Sequence, residues 1–474
     1  MLTQAKGAAP AQLSLASVLT FACCYLPFSA LQTSVAVQVP RYFASHLGLG
    51  LAVGGIFGLV RLIDIPLDPA LGLGMDRTRT RIGRYRPWML AGAPVLMLAI
   101  YMLYEAHVGV SSGYLLIWLL IMYLGMSMLL LSGNAWASTL AASYQQRSRI
   151  FGAMAGLGTL GAIAILVIPI VVAQRGGSDP DGIRAVGWFL VALVPLTIAL
   201  AALRTPEPLK KKTSDTPRFA LSDYVALLAR PNVIRLLAAD FLVILGPGWM
   251  SALYLFFFKD SRGFSITEAN GLLVIYIAAG LLGAPATAWL ANRINKHRAL
   301  AVTTTGYSLM LIVIFLSPKA DFAIAAPAMF VAGALAAGTI VMIRSITADI
   351  GDEIRLEKGR QEIGLLYALT SATTKAASAF AITLTFWVLS VVGYNPTEGA
   401  VNGPSQIRGL ELAYAIGPIV FVMLGGACFI GYKLSAERHA QIRRELDERD
   451  ALYDESAIVE SVSGAPGEIA AQRP

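Results

Sequence analysis

The sequence predicts an all-α membrane protein, twelve transmembrane helices arranged as two six-helix halves, and three observations predict it. First, 56% of the 474 residues are hydrophobic and 14% are charged, whereas a soluble globular domain carries about a quarter charged residues. The mean hydropathy is correspondingly +0.65. Second, apolar runs of about 20 residues, the length that crosses a bilayer as a helix, recur through most of the chain. A membrane β-barrel would instead show segments of about 10 alternating residues. Third, the 37 Lys and Arg residues are spread over short loops, and basic and non-basic loops alternate, as the positive-inside rule requires. A soluble enzyme is excluded, and so is intrinsic disorder, because a chain this apolar cannot stay solvated. The formal charge of +8 is topological and not massed on one domain, so nucleic acid is not an expected partner.

The elements follow in order. The first apolar run begins near Leu13 with one upstream lysine, Lys6, and outlasts the apolar core of a signal peptide; it is span 1, over 14–38. Spans 2 to 6 fall at 49–74, 88–107, 113–141, 150–173 and 186–203. A polar stretch with Pro206, Pro208, Lys210, Lys211, Lys212 and Pro217 intervenes. Spans 7 to 12 fall at 233–258, 268–291, 298–317, 322–345, 362–393 and 410–433. This gives an N-terminal half at 1–203, a linker at 204–232, a C-terminal half at 233–434 and a tail at 435–474. A surface helix is expected through Arg443, Arg444, Glu445 and Arg449, and disorder beyond it, where Ser, Gly, Ala and Gln dominate.

Loop charges orient the chain. The loop after span 2 carries Arg77, Arg79, Arg81, Arg84 and Arg86, and the linker carries Arg204, the three lysines and Arg218. Arg147, Arg149, Arg293, Lys296, Arg298, Arg355, Lys358 and Arg360 follow spans 4, 8 and 10. Of the alternate loops, the one after span 3 carries none, the one after span 9 Lys319 and the one after span 11 Arg408. With an even number of spans, both termini and the linker are expected in the cytoplasm, and the protein in a bacterial-type plasma (inner) membrane. Cys23, Cys24 and Cys428 all lie in apolar runs and suggest neither a disulfide framework nor a zinc site.

An internal repeat supports two halves. Span 2 reads Asp68-Pro69-Ala70 and then Asp76-Arg77; span 8 reads Ala284-Pro285-Ala286 and then Asn292-Arg293 at the same spacing. Parallel six-helix repeats of this kind are the plan of the major facilitator fold. Ala284 stands where the first half has Asp68, so the scaffold is repeated and the charge is not.

An ionisable side chain near the bilayer centre costs about 3 kcal/mol or more unless it is paired or faces water, so such residues mark function. Span 2 has Arg61, Asp64 and Asp68. The two aspartates, four residues apart, share one helix face about 5.4 Å apart, and Arg61 reaches the same face. Two carboxylates so close share a proton or hold a cation between them. Pro66 and Pro69 are expected to bend the helix there and free carbonyls toward the same cavity. Lys375, in Ser371-Ala372-Thr373-Thr374-Lys375-Ala376-Ala377-Ser378 of span 11, needs an acidic partner, and the span 2 aspartates are the expected ones. Asp240, near the start of span 7, reads as an interface residue. Gly54 and Gly58, and Gly152 and Gly156, have the small-xxx-small spacing of helices that pack closely or slide. Gln32, Thr33, Ser132, Asn134, Trp136 and Trp249 are expected to line a polar substrate cavity, since aromatic rings with amides and hydroxyls suit a sugar.

The run Asp64-Ile65-Pro66-Leu67-Asp68-Pro69, then Gly72, Asp76-Arg77-Thr78 and Gly83-Arg84-Tyr85-Arg86-Pro87-Trp88, resembles the glycoside–pentoside–hexuronide:cation symporter family. A second matching run is Ala348-Asp349-Ile350-Gly351-Asp352-Glu353, followed by Gly359-Arg360-Gln361-Glu362-Ile363-Gly364. The resemblance implies cation-coupled transport on the major facilitator fold, with Asp64 and Asp68 as the paired cation-site acids, beside Arg61, and Lys375 as the neighbouring lysine. It implies that Asp76, Arg77, Arg84, Asp349, Asp352, Arg355 and Arg360 form interdomain ion pairs that hold one conformation. Exposed pairs are each worth under about 1 kcal/mol, so they break readily during a cycle. The chain departs from the family where sugar-binding acids are expected, near Ser29 and at Ser132, where an arginine is expected, near Leu157, and where a hydroxyl cation ligand is expected, at Leu129. The shortage of oxygen ligands favours a proton over sodium as the coupling ion.

The reading is therefore a proton- or sodium-coupled symporter of a sugar, glycoside or uronide, not an enzyme, working by alternating access. No cofactor is expected, and no metal beyond a sodium at Asp64 and Asp68. The expected partners are a small-molecule substrate and the lipid bilayer, and the protein is expected to be a monomer. The alternatives are an amphiphilic or lipid-like solute, or a non-transporting sensor, on the same fold, and a membrane-embedded prenyltransferase, which also uses Asp-x-x-x-Asp.

Overall fold

The structure, a computed structural model, describes residues 14–140, 144–207, 226–358, 363–432, 434 and 437–449. Much of the linker (208–225), Arg360 and the end of the tail lie outside the described residues. The chain forms helices because lipid offers backbone groups no partners, so each spanning segment must satisfy its own. Helix α1 comprises Leu15–Ala22 and Tyr25–Arg41, broken at Cys23 and Cys24; α2 is Ala52–Arg77, α3 Arg86–Tyr104, α4 Ser112–Leu140, α5 Tyr144–Gln174 and α6 Asp179–Arg204. In the second half α7 is Pro231–Phe256, α8 Ile266–Ile294, α9 Lys296–Leu316, α10 Phe322–Lys358, α11 Ile363–Val391 and α12 Pro404–Ala427. A tail helix, α13, covers 437–449.

The boundaries have local causes. Ser178 with Asp181, and Ser265 with Glu268, form capping boxes that start α6 and α8; the first moves α6 ahead of the expected residue 186. Gly403 and Pro404 start α12 ahead of the expected 410. Helix α10 runs to Lys358, well past 345, so the Asp349 to Arg355 motif is helical rather than a loop. Helix α2 runs through Pro66 and Pro69 as one element from Ala52 to Arg77. Helices α1 and α7 each continue into one π-helical turn, Tyr42–His46 and Phe257–Ser261. That pairing is a second mark of the repeat, since α1 and α7 are equivalent.

Among the described residues, eleven helical segments are long and apolar enough to cross a membrane. Helix α2, twelfth of the spans, is not among them, because Arg61, Asp64 and Asp68 sit in its middle. The two halves meet along α2 against α11, α5 against α8 and α1 against α7. The first two contacts are counterparts in the repeat.

The halves are tied at the face opposite the arginine-rich loops. There Gly54 and Gly58 let α2 approach α11: a Cβ on Gly54 would lie 2.3 Å from Phe386, and one on Gly58 2.2 Å from Thr383 Oγ1. Thr383 donates to the Gly54 carbonyl at 3.0 Å. Ser45 donates to the Pro396 carbonyl at 2.7 Å, and His46 Nδ1 lies 3.0 Å from Glu398. Gly152 and Gly156 of α5, by contrast, face open space. Toward the basic face Ile340, Arg344, Tyr367 and Ser371 are exposed, whereas the described contacts between the halves close the opposite face.

Gly58→Ala is expected to separate α2 from α11 at the closed face. In a background lacking the three native cysteines, Ser45→Cys should then react several-fold faster with a membrane-impermeant maleimide, tenfold corresponding to about 1.4 kcal/mol of population shift. Unchanged labelling would show that this contact does not hold the face shut.

Candidate ion-coupling site and central cavity

Asp64 lies about 18–20 Å from either end of α2, at mid-depth, and Asp68 follows one turn later. Lys375 of α11 reaches both: its Nζ donates to Asp64 Oδ2 at 3.0 Å and also pairs with Asp68 Oδ2. A second cation competes for the same acid. Arg61 Nη1 lies 3.6 Å from Asp64 Oδ2, and its guanidinium sits 4.1 Å over the Tyr123 ring. Ser127 of α4 donates to Asp64 Oδ1 at 3.3 Å. Asp64 is 2% exposed in its side chain, Asp68 and Lys375 18% each. Two positive and two negative groups balance, which is what makes their burial tolerable; removing one partner of a buried pair costs about 3–5 kcal/mol. One acceptor is left over, since Asp68 Oδ1 is buried without a partner.

Arg61 also stands in the wall of a central cavity of about 350 Å³ between the halves. Other polar groups there are Gln32, Tyr123, Ser251, Tyr276, Tyr307, Thr339 and Ser378, set among apolar residues such as Val35, Met126 and Ile382. Few polar groups on a largely apolar surface are the usual composition of a small-molecule site. The acids and the cavity thus share one guanidinium, so whatever changes the charge on Asp64 or Asp68 changes what Arg61 offers the cavity.

The structure brings Asp64, Asp68, Lys375 and Arg61 together, as the sequence suggested. Of the six expected cavity residues only Gln32 lines the cavity. Thr33 and Ser132 turn their hydroxyls onto their own helices, at Ser29 O and Met128 O. Asn134 accepts from the Tyr25 hydroxyl. Trp136 is sealed by Phe21 and Arg86 and donates to the Pro206 carbonyl at 3.3 Å. Trp249 donates to the Ala413 carbonyl at 2.9 Å, inside the C-terminal half. Leu129 packs over Gly92 of α3; the hydroxyl that α4 offers the acids is Ser127, two residues earlier. Asp240 is buried, 2% exposed, and accepts from Thr374 of α11 at 2.9 Å. The three cavity tyrosines were missed, although a tyrosine in mid-span is itself a signal, because its hydroxyl must find a partner or a cavity there.

At the basic face the described ion pairs of Asp349 and Asp352 lie within the C-terminal half and its tail helix. Asp349 binds Lys296 at 2.6 Å and lies 3.3 Å from His439 of α13; Asp352 lies 3.2 Å from His439 and 3.6 Å from Arg443. Arg355 offers its carbonyl to Arg449 at 3.0 Å. In the first half Arg84 Nε donates to the Met75 carbonyl, and Glu207 accepts from the backbone N–H groups of Arg84, Tyr85 and Arg86. Arg77 closes α2. The Asp76 side chain and Arg360 lie outside the described residues.

A family model described as MFS/sugar transport protein matches residues 20–436. The isoprimeverose transporter of Lactiplantibacillus pentosus is 24% identical over 452 residues, 91% of each chain. The glucuronide carrier protein homolog of Escherichia coli (strain K12) is 23% identical over 433 residues, 87% of this chain and 91% of that one. Among solved structures, the nucleoside transporter NupG superposes with a TM-score of 0.63 at 14% identity, over 89% of this chain and all of its own.

Lys375→Ala leaves Asp68 without any cation and the cluster one negative charge in excess. Its melting temperature in detergent is expected to fall clearly, and Asp68→Asn combined with Lys375→Ala, which restores neutrality, is expected to recover most of the loss. Equal stability of parent and Lys375→Ala would reduce the lysine to a surface role.

Proposed function

The chain belongs to the MFS/sugar transport protein family and is a membrane transporter rather than an enzyme, and from that premise we propose a proton-coupled symporter of a sugar, glycoside or uronide. The observation that carries the reading is Lys375 bound to both acids of α2 across the interface of the halves. That ammonium occupies the position a coupling cation would take, and it ties α2 to α11 while it does so.

A proton bound at Asp68, at its unpartnered Oδ1 or at the oxygen Lys375 releases, leaves Lys375 with Asp64 alone. The cluster then carries one net positive charge, Lys375 and Arg61 contend for a single carboxylate, and Arg61 becomes available to solute oxygens in the cavity. Cation and solute thereby favour one another, which is the thermodynamic content of symport. A proton is preferred to sodium because, among the described residues, the one further oxygen bonded to the acids is that of Ser127, whereas hard metal cations gather about six. The two bodies that rock are residues 1–203 and 233–434, joined by the 204–232 linker, with the tail 435–474 on the same side. The basic face is read as cytoplasmic in a bacterial-type plasma membrane, so the state described is inward-facing.

In proteoliposomes, an inside-alkaline pH gradient without sodium is expected to drive accumulation of a transported sugar. Asp64→Asn and Asp68→Asn are expected to abolish accumulation while leaving counterflow measurable. Variants that accumulate solute like the parent would overturn the assignment of the acids; accumulation driven only by a sodium gradient would replace the proton by sodium.

A further inference from the structure

A second set of intramembrane charges lies outside the α2 cluster, on the C-terminal half. Asp240 of α7 is one helical turn before Ile244, Arg344 of α10 one turn after Ile340, and Thr374 of α11 one turn before Ser378; Ile244, Ile340 and Ser378 all line the cavity. With 3.6 residues per turn, residues four apart share a face, so these three form a ring just below the cavity on its basic-face side. Asp240 is buried and bonded to Thr374. Arg344 is exposed although it lies in a long membrane-crossing helix, and it stands within electrostatic reach of Asp240.

A simple clasp would bond the two charges directly. Here the acid is held by a threonine, and among the described residues Arg344 has neither a hydrogen bond nor an ion pair. An arginine whose donor fork is unengaged among the described residues, exposed one turn below the cavity-lining Ile340, is a site waiting for an acceptor. Guanidinium geometry matches a carboxylate in two parallel bonds. Asp240 keeps the site neutral while it is empty.

We infer that Arg344, its charge balanced by Asp240, forms an anion-recognition site at the floor of the central cavity and that the transported solute carries a carboxylate. This rests on the transport reading above and narrows it from sugars in general to acidic sugars. The solute would span from Arg61 and Tyr123 on the N-terminal half to Arg344 on the other, so its charge would be read by the half that does not carry the coupling acids.

The test is binding by the purified full-length protein of two probes with the same aglycone, p-nitrophenyl β-glucuronide and p-nitrophenyl β-glucoside, followed by calorimetry. The parent is expected to favour the glucuronide by about tenfold or more, the usual worth of a charged hydrogen-bonded pair. Arg344→Gln should erase that preference while leaving glucoside binding unchanged, and Arg344→Lys should restore part of it. Asp240→Asn should keep or raise the preference, which a merely structural role would not. A parent that binds both probes equally, or an Arg344→Gln variant that loses both to the same extent, overturns this site alone. A parent that binds neither overturns the sugar reading with it.

Discussion

Everything in this architecture turns on an ammonium held between two carboxylates of one helix turn, at mid-membrane and across the seam of two six-helix bodies. At an effective dielectric of about 20, unit charges 4 Å apart interact by about 4 kcal/mol, so Lys375 is a strong fastener while both acids are charged. It is also a conditional one. Neutralising a single carboxylate halves its partners without moving any backbone. The seam between α2 and α11 therefore has a strength that depends on an ion, whereas its glycine contacts at Gly54 and Gly58 do not.

The rest of the molecule distributes stiffness and looseness around that fastener. The closed face is built from close backbone approach and from hydrogen bonds that cross between halves, Ser45 to Pro396 and Thr383 to Gly54. At the basic face Asp349 and Asp352 are engaged by Lys296 and α13, within the C-terminal half.

The fold was legible because the membrane imposes one rule, that every spanning backbone be helical, and the loop charges announce the topology. The ion cluster was legible for the same reason in reverse: Arg61, Asp64, Asp68 and Lys375 have no tolerable explanation in oil except each other. The cavity lining was not. Trp136 and Asn134 carry the groups a sugar site needs, but whether such a group faces the cavity, its own helix or a neighbouring carbonyl depends on a rotation of the helix that composition does not record. Tyr276 and Tyr307 were passed over for that reason. Arg344 was passed over because it lies where a span was expected to end, among the basic residues that mark the topology; the continuous α10 carries the helix well past it.

The repeat explains why the switch is single. Helices α2 and α8 occupy equivalent places, both carry a proline late in the helix, and each packs against a helix of the other half, α11 and α5. Yet α8 has Ala284 and Ala286 around its proline where α2 has Asp68. Had both seams carried charge, loading an ion would loosen two fasteners at once and the halves would lose their common axis. With no counterpart of Asp68 on α8 in one seam and a buried ion cluster governing the other, the bodies keep one contact to rotate about and a variable one to report whether the ion is bound. Asymmetry of charge on a symmetric scaffold is what converts the binding of a cation at a single site into a directed tilt.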